Sequence, residues 1–371
     1  MITRIYANNF RCLVSFEVKL DSFGVLCGPN GVGKSSVFDV IKLIRDLASA
    51  DAILGGEGKY DIQQLEFTSW LDSHIQEFEV SISIGEKEFL YKIQIEQTSN
   101  DVKPRVIYET ATCNGDELFS RDLDGVRLVR DDGATSGFPL DWRQSALGAI
   151  QSSKRTSNIE LLQDYFRKIL VLRPCAPLMS AESRSDASMP TLQFENLLSW
   201  YRTLANEQEW TDSLRESLQD VWPDFRSFNQ VEVGLNSKSL RLRFDSDNGR
   251  SSSPYFFHQM SDGERTLIGL YMLRAAMETD AARIILIDEP DNYIGLPELQ
   301  PWVLSICELL DEHRQVIIIS HHPEILKSAS KEHGRYLWRD NHSSPTRIGA
   351  LEVPDGMTPG EAIARGWLTN G

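Results

Sequence analysis

Nine residues constrain this chain more than any others: Gly28-Pro29-Asn30-Gly31-Val32-Gly33-Lys34-Ser35-Ser36, which fit the pattern GxxxxGK[ST]. Before them Gly24-Val25-Leu26-Cys27 reads as a short strand. After them Val37, Ile41, Ile44 and Leu47 recur at the spacing of an amphipathic helix. Strand, glycine turn and helix form the context in which this pattern cradles phosphate. Glycines let backbone N–H groups turn inward, and the helix N-terminus adds the positive end of its dipole. The candidate binding residues are therefore Asn30, Gly31, Val32, Gly33, Lys34, Ser35 and Ser36. Lys34 is expected to reach the β and γ phosphates of a nucleotide, and the Ser35 hydroxyl to hold Mg²⁺.

A second element, Ile284-Ile285-Leu286-Ile287-Asp288-Glu289-Pro290, reads as a buried parallel strand ending in two carboxylates. Alone, such a pair is more often a solvated strand end. With a phosphate loop in the same chain, Asp288 is expected at the Mg²⁺ shell and Glu289 as the general base on water. Between the two, Met260-Ser261-Asp262-Gly263-Glu264-Arg265 opens a helix. Ser261 and Glu264 fit a capping box, while Ser261 and Gly263 also leave a helix N-terminus that can meet a γ-phosphate.

Around these motifs the hydrophobic period changes. Phe78, Val80, Ile82, Ile84 and then Phe89, Tyr91, Ile93, Ile95 alternate as an antiparallel meander that extends to about Leu128. From about Asp141 to Asp220 the pattern is helical, with Ile159, Leu162, Phe166 and Ile169 on one face, interrupted by a loop-like stretch from Pro174 to Pro190. Strands return near Val231 to Phe244, and helix and strand then alternate to Ser320. The expected fold class is α/β, with a phosphate-loop core at 1–60 and 255–371. An antiparallel β subdomain is expected at 61–140, and a helical lid with returning strands at 141–254.

Lys plus Arg total 38 and Asp plus Glu 54, a formal charge of −16, which opposes any global attraction to a polyanion. Duplex DNA would have to meet a local patch, for which Lys154, Arg155, Arg167, Lys168 and Arg173, and the strip Lys238, Arg241, Arg243 and Arg250, are the candidates. Five widely spaced cysteines suggest neither a disulfide framework nor a zinc site. No apolar run approaches the roughly 20 residues of a bilayer crossing, and no apolar signal segment follows Met1, so no membrane partner and a cytoplasmic home are expected.

In this order the motifs resemble those of the ABC-type ATPases of the SMC, RecF and OLD-nuclease group. Asn9-Phe10-Arg11 is similar to that group's N-terminal element, whose arginine reaches nucleotide phosphate, and Ser320-His321-His322-Pro323-Glu324 to its switch motif. The resemblance implies ATP and Mg²⁺ as cofactors, Arg11 at phosphate, and His321, or His322 in competition, as the γ-phosphate sensor. It also implies a homodimer or higher homo-oligomer in which two copies sandwich ATP, the phosphate loop of one facing Ser261 and Gly263 of the other. Gln63 or Gln64 is the candidate for a Mg²⁺-contacting glutamine, with a solvated side chain the plainer reading.

The chain departs from the group where Gly295 stands in place of the usual histidine after the acidic pair, and too few residues follow His321 for a TOPRIM nuclease domain. The Glu298–Trp302 run, the Ser320-His321-His322-Pro323-Glu324 run and the Ala364-Arg365-Gly366-Trp367 end together are similar to small ATPases of bacterial antiphage-defence or toxin operons of the PtuA and AriA kind. That implies slow ATP hydrolysis coupled to a separately encoded effector, a nuclease or toxin. A RecF-like DNA clamp is the alternative.

Overall fold

Alternating residues in the first part of the chain build strands as their period predicts. In the computed structural model these are β1 (Ile2–Asn8), β2 (Phe16–Lys19) and β3 (Phe23–Cys27), followed by α1 (Lys34–Ala48). Next come β4 (Ile75–Ile84), β5 (Lys87–Glu96), β6 (Arg105–Cys113), β7 (Asp116–Arg121), β8 (Val126–Val129) and β9 (Thr135–Phe138). The structure describes residues 1–58, 61–99, 101–245, 254–328, 333–353 and 356–364, without the side chains of Leu296, Ser328, Ile363 and Ala364. Arg250 and the Arg365-Gly366-Trp367-Leu368 end therefore lie outside the described residues. Two units are present. The first covers described residues 1–169 and 333–352, and the second 170–328 and 353–364 with the gaps noted.

In the first unit an eight-stranded antiparallel sheet runs β2-β1-β4-β5-β6-β7-β8-β9. Phe78, Val80 and Ile82 face Ile93, Tyr91 and Phe89 across β4 and β5, and all six are buried. The hairpin closes through Gly85-Glu86, with Gly85 at φ +59°, the kind of two-residue turn that matches strand twist.

Two short helices, α2 (Ala146–Ala149) and α3 (Ser157–Arg167), follow. Glu109 on β6 is fully buried and anchors the start of α2. It accepts hydrogen bonds from Ser145 Oγ at 2.7 Å, Ala146 N at 2.6 Å, Leu147 N at 3.0 Å and the Tyr91 hydroxyl at 2.9 Å. The Arg121 guanidinium lies 3.7 Å away. A buried carboxylate survives only with such partners.

The second unit carries β10 (Ile169–Leu172), a 3-10 turn at Ala176–Leu178, β11 (Glu182–Ser183), α4 (Leu197–Leu204) and α5 (Gln208–Val221). It continues with β12 (Phe225–Gly234), β13 (Ser237–Phe244), β14 (Tyr255–Phe256), α6 (Asp262–Glu278), β15 (Ile284–Asp288), α7 (Leu296–Glu308), β16 (Gln315–Ile319) and α8 (Pro323–Ser328). β15 lies between β10 and β16, and pairs with β16 in parallel. α6 has no polar stripe: eleven of its residues, from Thr266 to Met277, are buried, the composition of a helix enclosed by its unit. Trp302 on α7 donates Nε1–H to the Leu270 carbonyl at 2.9 Å.

The chain then returns to the first unit as β17 (Gly334–Trp338), parallel to β3, and β18 (Arg347–Ala350), antiparallel to β17. In the second unit α9 (Pro359–Ala364) starts from the Thr358–Glu361 capping box that its spacing predicts.

One expectation is corrected here. Ile169 does not continue the helical face of Ile159, Leu162 and Phe166, because α3 stops at Arg167 and Ile169–Leu172 is a strand buried along its whole length. Four consecutive apolar residues hidden on both faces suit an interior strand better than a helix exposed on one side. The β12–β13 hairpin also begins earlier than expected, at Phe225, where Trp222, Phe225, Phe228 and Phe244 make a cluster of rings.

Candidate nucleotide site

β3 is buried throughout and ends directly before Gly28. The loop then turns through Gly31 at φ +78° and Gly33 at φ +98°. Gly33 is the N-cap of α1, it provides no side-chain cap, and the first turn of α1 holds no acid. This is the arrangement that receives an anion. A Cβ on Gly33 would lie 2.6 Å from Cys12 Sγ and 2.8 Å from Thr346 Oγ1, so both the backbone angle and the space require glycine. Lys34 is buried, and its Nζ donates to the carbonyls of Gly28 at 2.7 Å and Pro29 at 2.9 Å.

Other side chains brace the loop from outside. Thr346 Oγ1 donates to the Val32 carbonyl at 2.7 Å, and Arg339 Nη1 to the Gly31 carbonyl at 3.1 Å. The Arg339 guanidinium also lies over the Trp70 ring, 5.4 Å from its centroid. Arg11 reaches the same edge, with Nη1 3.5 Å from Ser36 Oγ and the guanidinium paired to both Asp39 and Glu66. Burial works against its charge, yet the two carboxylates hold its pKa above the ordinary value. Asn30 and Gly31 are exposed at the loop tip, and Gln63 and Gln64 are exposed as well.

Asn9, which the sequence marks only as part of the Asn9-Phe10-Arg11 element, is fully buried. It donates Nδ2–H to the carbonyls of Ser73 and Ile75, each at 2.9 Å, and accepts from Thr68 N at 3.2 Å. It thereby fixes the segment that carries Glu66, one partner of Arg11.

In the second unit β15 delivers Asp288, with its side chain 6% exposed, and then Glu289 at φ +50°. A left-handed non-glycine residue persists where its surroundings over-determine it, and such residues gather at functional sites. Here Glu289 N donates to the Ile319 carbonyl at 2.8 Å, and Asn292 Nδ2 donates to Glu289 Oε2 at 3.0 Å. The next acid, Asp291, accepts from Ser320 Oγ at 2.7 Å, and Ser320 Oγ in turn accepts from His322 N at 2.8 Å. His322 Nδ1 accepts from Glu324 N at 3.3 Å, which commits that ring to the start of α8, while His321 stands one residue nearer the end of β16. Asn292 is a contributor that the sequence does not announce.

Ser261 caps α6: its Oγ accepts from Glu264 N at 3.3 Å, and Glu264 Oε2 accepts from Ser261 N at 2.8 Å. The plain capping box is thus built as its spacing predicts. Gly263 is required by a neighbour, since a Cβ there would lie 2.6 Å from the Tyr293 carbonyl oxygen. A cleft of about 380 Å³ opens beside Ser261, Gly263, Leu267, Tyr293, Ile294 and Trp222.

Asp288 has one partner that the sequence reading assigns elsewhere. Arg173, grouped there with a basic patch, donates Nε–H to Asp288 Oδ2 at 2.9 Å. Arg173 directly follows β10. Reading Ile169–Leu172 as a buried strand would have placed it at a strand's C-terminal end, where ligand-binding groups collect in such sheets. A buried carboxylate that already holds a guanidinium is one that a cation suits, so Asp288 fits the magnesium of a nucleotide. Magnesium would there neutralise phosphate charge.

A glycine-turned helix N-terminus with its lysine in the first unit, and a strand-end acid pair beside a serine-capped helix in the second, define an ABC-type P-loop ATPase. The chain belongs to the family described as "AAA domain, putative AbiEii toxin, Type IV TA system", whose model matches residues 23–327. Among solved structures it is similar to an SMC head bound to the C-terminal winged-helix domain of ScpA, at 15% identity and a TM-score of 0.58, covering 95% of this chain and 98% of that one. It is also similar to the SMC head of Pyrococcus furiosus with an extended coiled coil, bound to the C-terminal domain of ScpA, at 12% identity and a TM-score of 0.55, covering 94% and 96%. Among curated proteins no match was found. The fold is that of an SMC-like ATPase head, and no helix among the described residues is long and apolar enough to cross a membrane.

Proposed function

We propose that the chain binds and slowly hydrolyses ATP, and that two copies sandwich two Mg²⁺-ATP. In this reading the backbone from Gly31 to Ser36, with Lys34 and Arg11, holds the phosphates. Ser35 and Asp288 hold magnesium, Glu289 takes the proton of the attacking water, and His321 meets the γ-phosphate. Ser261 and Gly263 of one copy face the phosphate loop of the other. Residues 1–60 and 255–371 are the ATPase core, 61–140 the antiparallel subdomain and 141–254 the insertion.

The observation that carries turnover, over a passive scaffold, is Glu289: a strained residue at the end of a buried strand, its carboxylate steadied by Asn292. A general base held in place in this way is worth about 10²–10⁴-fold in rate. The biological role we infer is control of a separately encoded effector, a nuclease or toxin, in a cytoplasmic antiphage-defence or toxin–antitoxin-type system. Its support is the family's own description, which names a toxin and a type IV toxin–antitoxin system.

A duplex-DNA clamp has less to draw on. Arg167 pairs with Asp164 and Arg241 stacks on Phe256. Co-expression of the tagged chain with the products of its neighbouring genes, followed by ATP-turnover assays, tests the reading. An effector that co-purifies and responds to nucleotide is expected. Turnover that no neighbour affects, together with salt-sensitive duplex binding, would replace the effector role with the clamp.

A further inference from the structure

Asp288 and Arg173 make an ion pair whose two members differ in freedom. The carboxylate is fixed at the end of β15, with its side chain 6% exposed, whereas the Arg173 side chain is 40% exposed. Its backbone is tied down, because Arg173 N donates to the Leu192 carbonyl at 2.6 Å. The guanidinium can therefore swing into solvent on its own stem while β10 stays in place.

Two positive charges cannot both occupy one buried carboxylate without repulsion, so a divalent cation arriving with nucleotide competes with this arginine. The segment after Arg173 is held as well. Three residues beyond Arg173 the Ala176 carbonyl accepts from Arg265 Nη1 at 3.2 Å, and Arg265 sits in the first turn of α6, just after Ser261 and Gly263. The Tyr293 carbonyl packs on Gly263 at the same end of α6.

Resting on the ATPase reading above, we propose that Arg173 is the resident counter-ion of Asp288, which a magnesium nucleotide must displace. Arg173 thus sets the divalent-cation requirement of the site. It is a positioning residue: it acts through Asp288.

The experiment is a Mg²⁺ titration of fluorescent ATP-analogue binding to the full chain, comparing wild type, Arg173→Gln and Arg173→Lys, with melting in EDTA as the fold check. Arg173→Gln should raise the apparent Mg²⁺ affinity about tenfold, the size of one charge-assisted hydrogen bond, while its binding of the analogue in EDTA changes little. Arg173→Lys, which keeps the positive charge, should stay near wild type. In an Asp288→Asn background the Arg173→Gln effect should vanish. An unchanged or weakened Mg²⁺ affinity in Arg173→Gln, with wild type binding normally, overturns the displacement alone. A wild-type chain that binds no analogue at any Mg²⁺ concentration overturns the ATPase reading and this proposal with it.

Discussion

Lys34 in the first unit and Asp288 in the second are buried almost equally, at 7% and 5% exposed, and the chain satisfies them in opposite ways. Lys34 turns back onto the carbonyls of Gly28 and Pro29, five and six residues earlier, within the loop that will hold the ligand. Asp288 takes a guanidinium from Arg173, 115 residues away in the chain. Buried charge must find a partner in either case. The loop brings these two partners with it, and Thr346 and Arg339 then brace it from outside. The carboxylate depends on how a distant segment folds, so the state of the second unit can be tuned from outside its motif.

The largest test of this contrast is chemical. Glu289→Gln should lower ATP turnover by about 10²–10⁴-fold while leaving nucleotide affinity near wild type, read by phosphate release and calorimetry. Wild-type turnover would remove Glu289 from the chemistry. On the other side of the comparison, Lys34→Ala should weaken ATP binding about 100-fold, roughly 2.7 kcal/mol. Equal affinity would mean that the loop's backbone alone carries the ligand.

Asn9→Ala asks how far local architecture supports the loop. It removes donors to Ser73 and Ile75 and the acceptor for Thr68 N, and should cost about 2–3 kcal/mol in urea unfolding, as expected for buried groups left unpaired.

The smallest effect belongs to the sheet. Burial raises the pKa of Glu79, but hydrogen bonds from Lys92 and Arg4 outweigh it and hold the carboxyl below the ordinary 4.5. A depressed folded value contributes stability above the unfolded pKa, and that stability is lost as pH falls through the folded one. Glu79→Gln should therefore destabilise by under about 1 kcal/mol at neutral pH and flatten the acid limb of a melting-temperature profile. An acid limb as steep as wild type would place the proton uptake elsewhere.

What the sequence makes legible follows the same division. Lys34, the Ser261–Glu264 capping box and the Thr358–Glu361 box are readable because each finds partners within a few residues, and Gly33 because the phosphate-loop pattern itself calls for glycine there. The alternation of β4 and β5 is readable because one face is buried and the other is not. Arg173, Asn9 and Arg339 are not readable, since their partners are set by tertiary contacts that no local period records. Arg173 was further obscured because Ile169 fits a helical spacing as well as a strand. Asn292 stands three residues from Glu289 and could have been anticipated as a tether, but an asparagine after an acidic pair is as readily a turn residue.

We propose that ATP joins two copies of this chain through the motifs of both units. Light scattering on purified Glu289→Gln protein, with and without ATP and Mg²⁺, tests it most directly. A monomer-range mass is expected without nucleotide and a doubling with it, abolished when Lys34→Ala is added. A mass unchanged by ATP and Mg²⁺, in a variant shown to bind the nucleotide, would contradict the sandwich.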